Sequence, residues 1–275
     1  GVLVVACSKD SNALNPNEEI VVEEVVPTPP LQKSISAAEW EAFHVEVEKL
    51  NAKYLAPEVL SKAMRVGRDS GDMSRDEKVE IFEADAEGAA RGSEWGAKWG
   101  TKGRIAVGVA VGAVASILKW WELTGNGLEA STNPLPSFDA LSSDSVAVLI
   151  GERHNMIIED FMNSPINITG MSDSAVLVDI TSRYEELFTP IAADTRSFII
   201  SVRFDKFNNF SPEIRRVIDD YGTATMGMDN KQMHDYTEEY LDIVDTHLPD
   251  SEEKNQVVTY ASVAYYSSSM WEIEE

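Results

Sequence analysis

The sequence predicts an all-α fold: a multi-helix, bundle-like single domain with a glycine-rich central helix and a disordered N-terminal tether. Apolar residues recur at steps of three and four through most of the chain. Serines that can cap helices stand just before several of these stretches. No alternation of apolar and polar residues bounded by turns is long enough to argue for a strand, although Ser197–Phe204 has strand-like composition.

Residues 7–35 are rich in Ser, Asn, Glu and Pro, with Pro27, Pro29 and Pro30 close together, which favours an extended tether. Ser36-Ala37-Ala38-Glu39 is a capping box, in which hydroxyl and carboxylate each satisfy a free backbone N–H of the other. Behind it Trp40, Phe43, Val47, Leu50 and Tyr54 share one helical face. Pro57 suits the start of a short helix through Met64, and Ser74-Arg75-Asp76-Glu77 is a second capping box. The loop 123–139, rich in Gly, Asn, Ser and Pro, divides the helical body 36–275 into possible subdomains 36–125 and 134–275.

In the second half, one face over 145–162 carries Ile150, His154, Ile157, Ile158 and Phe161, and one over 174–188 carries Leu177, Ile180, Tyr184 and Leu187. Residues 195–208 offer Ile200, Phe204 and Phe207. Ser211-Pro212-Glu213 opens a helix bearing Ile214, Val217, Ile218 and Tyr221. Residues 231–247 align Met233, Tyr236, Tyr240 and Val244. Residues 251–271 align Val257, Ala261, Ala264 and Trp271.

The most specific pattern is a ladder: Gly88, Gly92, Gly96 and Gly100, then Gly108 and Gly112 in the same register after Arg104. Glycine costs about 1 kcal/mol against alanine inside a helix, so such a ridge needs a return. A ridge without side chains lets another backbone approach closely. The partner is expected to be a neighbouring helix of the same core; a membrane or a second copy of the chain are the alternatives. Arg104 and Lys119 bound only residues 105–118, short of the ~20 that span a bilayer. A bend is expected near Gly100-Thr101-Lys102-Gly103.

The net charge of −24 disfavours nucleic acid as a partner, because phosphate binding needs clustered Lys and Arg. One basic stretch, with Arg91, Lys98, Lys102, Arg104 and Lys119, is expected to pair with the acidic remainder of the chain. The single cysteine excludes an intrachain disulfide and a thiolate zinc site.

That cysteine lies in Val4-Val5-Ala6-Cys7, which resembles a lipobox, where the thiol takes a diacylglyceryl group and the chain is cut just before it. On that reading residues 1–6 are the end of a signal peptide and Cys7 is the lipidation site. Cys7-Ser8-Lys9-Asp10 is similar to the start of mature surface lipoproteins of Bacteroidota. The glycine-spaced helix and the His154–Asn155 pair add to the likeness, and the function of those lipoproteins is unknown. The resemblance implies an outer-membrane lipoprotein, exposed at the cell surface and anchored to the membrane through Cys7.

Catalytic motifs are absent: no Gly-x-Ser-x-Gly, phosphate loop or His-Glu-x-x-His occurs. The one candidate base is His154, with Asn155 or Glu152 as its orienter; a hydrogen-bonded core histidine is the competing reading. Glu41-x-x-His44 is half of a di-iron motif without its second half. His234 and Glu238, one turn apart, form part of an acidic helix face that includes Asp235, Glu239 and His247. Asp69, Asp72 and Asp76 lack the spacing of a calcium loop, and Asn167-Ile168-Thr169 is a formal glycosylation sequon. No metal or cofactor is expected. The expectation is a lipid-anchored cell-envelope protein with a non-enzymatic interaction or structural role toward a protein or glycan. Its alternatives are a membrane-active or self-associating glycine-zipper protein, and a hydrolase or metal enzyme centred on His154.

Overall fold

The computed structural model describes residues 34–55, 75–124, 140–142, 145–164, 166–204, 210–226 and 228–270. Its helices are α1 (Ala37–Tyr54), α2 (Arg75–Gly96), α3 (Gly100–Thr124), α4 (Val146–Asn163), α5 (Asp173–Leu187), α6 (Ala193–Ile199), α7 (Pro212–Thr225), α8 (Asn230–His247) and α9 (Glu252–Met270). A 3-10 turn, Ala97–Trp99, joins α2 to α3. The fold is all-α, and no strand occurs among the described residues. Residues 1–33, the 57–64 segment, Ser74, most of the 123–139 loop and Trp271 lie outside them. Ile35, the last residue assigned to the tether, is buried, and its N–H donates to Glu253 Oε2 at 3.0 Å.

Serine and aspartate side chains start α1, α4, α5, α7 and α8, whereas Ala192 precedes α6 without a side-chain cap. Ser36 and Glu39 complete the reciprocal capping box of α1, and Ser145, Ser172, Ser211 and Asp229 cap α4, α5, α7 and α8. Each such cap contributes about 1 kcal/mol.

Helices α2, α3, α4 and α9 form the centre, with α2 against α3 and α9, and α4 against α3 and α9. Both proposed halves therefore contribute to one core, within the compact unit Gln32–Glu275. The predicted faces of α1, α4, α7 and α8 are buried, apart from half-buried Tyr54. Beside the centre, Tyr221 packs edge-on against Tyr236, Tyr240 and Tyr260 at centroid distances of 5.6, 5.0 and 5.8 Å. The buried Tyr221 hydroxyl lies 2.7 Å from Thr237 Oγ1 and donates to the Ala261 carbonyl.

The glycine ladder closes on itself. Gly100 has φ 69°, a conformation glycine adopts without penalty, and the chain reverses there so that α2 and α3 run as a hairpin. The expected bend is thus a full turn. A methyl group on Gly92 would lie 2.6 Å from the Val107 carbonyl oxygen and 3.1 Å from Gly108 Cα. One on Gly88 would meet Ala115 Cβ at 2.9 Å, and one on Gly96 would overlap the Gly103 carbonyl. By length and composition Val79–Leu123 is apolar enough to cross a membrane, yet 67% of its most apolar window is buried inside the protein.

Two elements depart from the periodicity. The helix expected over 195–208 ends at Ile199. There the Ser201 and Val202 N–H groups donate to the Phe198 and Ile199 carbonyls at 2.9 and 3.1 Å, so the last turn tightens to i→i+3 bonds and the helix stops. Ile200 is the C-cap, and Phe207 lies outside the described residues. Leu187, at the last turn of α5, is 41% exposed rather than part of the core.

Candidate functional site

His154 sits in the middle of α4, on the face turned toward the α2–α3 hairpin, and Asn155 follows it. Both are buried, His154 completely. Asn155 Nδ2 donates to the Tyr266 carbonyl at 2.6 Å, which turns its Oδ1 toward His154 Nδ1 at 3.2 Å. Only an Nδ1–H tautomer satisfies that arrangement, because an amide oxygen cannot donate. Asn155 therefore orients the ring. Glu152 does not: its Oε1 accepts from the Tyr266 hydroxyl at 3.3 Å.

The other ring nitrogen faces a residue that sequence reasoning missed. Asp85 of α2 is fully buried, with Oδ2 3.7 Å from His154 Nε2. Ser267 of α9 donates a short hydrogen bond to the same oxygen. Gly112 of α3 closes the group: a methyl there would lie 3.1 Å from the Asp85 carbonyl oxygen and 3.2 Å from His154 Cδ2. Glycine at this rung gives the imidazole its space, so the ladder and the histidine belong to one construction. Asp85 Oδ1 and His154 Nε2 have no hydrogen-bond partner among the described residues, and the Ser116 hydroxyl nearby falls short of full hydrogen-bond geometry.

Burial decides the charge state. It pushes the Asp85 carboxyl up to about 8, against the smaller opposing pull of the Ser267 and Ser116 hydroxyls. It also holds His154 down to about 4, against Asn155 and the Gly112 backbone. Near neutral pH both groups are uncharged, the state that desolvation favours.

The chain of contacts runs Ser267–Asp85–His154–Asn155. A hydrolytic triad places the imidazole between serine and carboxylate, where it takes the serine proton. Here the carboxyl stands between serine and imidazole, and His154 Nε2 has no serine as a hydrogen-bond partner among the described residues. The arrangement ties helices α2, α4 and α9 together at one level of the core, in an order that differs from that of a hydrolytic triad.

The remaining candidates are separate from this group. His44 of α1 is buried beside Trp40, with Nδ1 3.9 Å from Asp220, and burial lowers its pKa. His234 Nε2 lies 3.8 Å from Glu238, whose oxygens accept from the Ser142 N–H and hydroxyl. A surface groove of about 580 Å³ between α1 and α8 is lined by Lys53, Tyr54, Gln232, Asp235, Glu238 and Glu239. Across it Lys53 and Tyr54 both donate to Glu239. Asn167 Oδ1 accepts from the Thr169 N–H at 2.9 Å, a local turn. Among the described residues no group of three or more His, Cys, Asp or Glu side chains could hold a metal ion. Asp69, Asp72, the Asp76 side chain and Cys7 lie outside them.

Of the basic stretch, Arg104 grips Glu252 through two bonds of 2.5 and 2.8 Å, and Lys119 pairs with Glu80 at 2.8 Å. Lys98 instead lies over the rings of Trp99 and Phe198, at 4.1 and 4.5 Å.

In comparisons with known proteins, no family model, curated protein or solved structure matches the chain.

Proposed function

We propose that this chain is a bacterial cell-envelope lipoprotein of the outer membrane, held by an acylated Cys7 and exposed at the cell surface. Its helical body serves an interaction or structural role toward a protein or glycan rather than catalysis. The anchor rests on the Val4–Cys7 lipobox and the Ser-Lys-Asp that follows. The observation that carries the non-catalytic part is the enclosure of His154: the ring is 0% exposed and its partner is a buried carboxyl, not a nucleophile. The strongly acidic composition suits a solvated surface.

The test is metabolic labelling of a bacterial host with an alkyne fatty acid. The expected result is label on the wild type, none on Cys7→Ala, and movement of that variant from the membrane to the soluble fraction. Equal labelling of both proteins, or none of either, overturns the anchor. Protease added to intact cells of a Bacteroidota host then degrades the wild type if it faces outward; complete protection removes the surface location.

A further inference from the structure

We propose that the tip of the α2–α3 hairpin docks onto the lipid surface that holds the Cys7 anchor. The proposal rests on the anchored reading above and adds which end of the helical body meets the membrane. At the tip Lys98, Gly100, Thr101 and Lys102 are exposed, and Trp95, Trp99 and Phe198 of α6 are half-buried behind them. The Trp99 and Phe198 rings lie 5.1 Å apart between centroids, and those of Trp95 and Phe198 6.2 Å. Tryptophan beside lysine suits the headgroup level of a bilayer, where the ring meets the apolar edge and the long side chain carries its ammonium out to the phosphates.

Charge and chain path point the same way. Residues 95–121 hold four basic side chains and no acid, in a chain of net charge −24. Lys98 lies over the Trp99 and Phe198 rings, and neither it nor Lys102 forms an ion pair among the described residues. The acid beside them, Asp194, accepts from Trp99 Nε1–H at 2.9 Å. One turn into α3, Arg104 grips Glu252 at the start of α9, and the adjoining Glu253 accepts from the Ile35 N–H. Both acids are thus occupied, and Asp250 close by pairs with Lys254 at 3.3 Å. The segment from Cys7 therefore enters the body at the end of the bundle that carries the tip. Anchoring makes docking an intramolecular event, so a surface this small need bind only weakly.

The experiment uses the full chain with Cys7→Ala, which has no acyl group, and an environment-sensitive dye on Thr101→Cys or, as control, on Glu122→Cys. Glu122 is exposed at the other end of α3, about 30 Å from Thr101 along the helix. Vesicles of phosphatidylethanolamine with phosphatidylglycerol are added. A saturable blue shift at position 101, and none at 122, is expected. Lys98→Gln together with Lys102→Gln weakens the apparent partition about tenfold or more; an unchanged partition overturns the proposal. So does the absence of a shift at 101, or an equal shift at both positions. A shift that grows with protein concentration without lipid assigns the tip to a second copy of the chain and overturns it too. Failed fatty-acid labelling of Cys7 leaves this measurement intact, and failure here leaves the anchor standing.

Discussion

Replacing Gly92 by alanine tests how the ladder works. Helix propensity alone predicts a gain of about 1 kcal/mol, since alanine is the better helix former. The seam predicts the opposite. The added methyl would stand 2.6 Å from the Val107 carbonyl oxygen, 0.8 Å inside the 3.4 Å at which ordinary contact begins, and 3.1 Å from Gly108 Cα. Backbone atoms of α3 cannot rotate aside, so α2 and α3 must separate. Overpacking of this kind costs about 1–3 kcal/mol, and the separation also loosens the contacts of Ala89 and Val111, both fully buried. The net expectation is a loss of about 1–2 kcal/mol. Gly108→Ala is the internal control. Its methyl meets the Ile150 side-chain end at 3.2 Å and the Ala89 carbonyl at 3.3 Å, contacts that small shifts relieve. The propensity gain there offsets the crowding, leaving a change within about 0.5 kcal/mol of zero. Urea unfolding followed by far-UV circular dichroism measures both. A Gly92→Ala protein as stable as the wild type, or more stable, refutes the close backbone seam.

The Asp85 carboxyl ionises at 3.8 in an open chain and at about 8 when folded, so the folded state keeps a proton the unfolded chain releases, and stability from this residue falls as pH rises between those values. His154, at 6.5 open and about 4 folded, acts in the opposite direction between pH 4 and 6.5, where the two slopes of about 1.4 kcal/mol per pH unit cancel. Asp85→Asn removes the first slope: from pH 6.5 to 8 the wild type should lose about 2 kcal/mol relative to the variant, and a constant difference in urea unfolding contradicts the assignment. Tyr221→Phe leaves Thr237 without its 2.7 Å partner and should cost about 1–2 kcal/mol, read as a lower thermal midpoint; an unchanged midpoint counts against a tight aromatic core. Gly100→Ala has open space but φ 69°, and should cost about 1 kcal/mol in the same urea assay from backbone strain alone.

Much of the fold was legible because it is written locally. Ser36, Ser145 and Ser211 cap the helices their positions imply, and the stripe Ile150, His154, Ile157, Ile158, Phe161 is buried as spaced. The end of α6 was not legible, since the tightening of its last turn at Ser201 and Val202 leaves no mark in the apolar spacing. Asp85 could have been found: it stands four residues from Ile81 and four from Ala89, both buried. Its neighbours Glu80, Glu83 and Glu87 disguise it as one more surface acid. Its bond to Ser267 spans 182 residues, and no local pattern encodes that choice. The orienting role of Asn155 was readable from its adjacency to His154, whereas Glu152 was drawn away by Tyr266. The basic stretch signalled ion pairs, but not that Lys98 would lie over two aromatic rings instead.

The glycine ridges of α2 and α3 are spent on each other within one chain, sealing the Asp85–His154 group between them and α4. An isotope-filtered NOE experiment on a mixture of labelled and unlabelled chains addresses this directly. A contact between Gly88 Hα and the Ala115 methyl, seen only within a chain, is the predicted result. The same contact appearing between chains, or missing altogether, contradicts it.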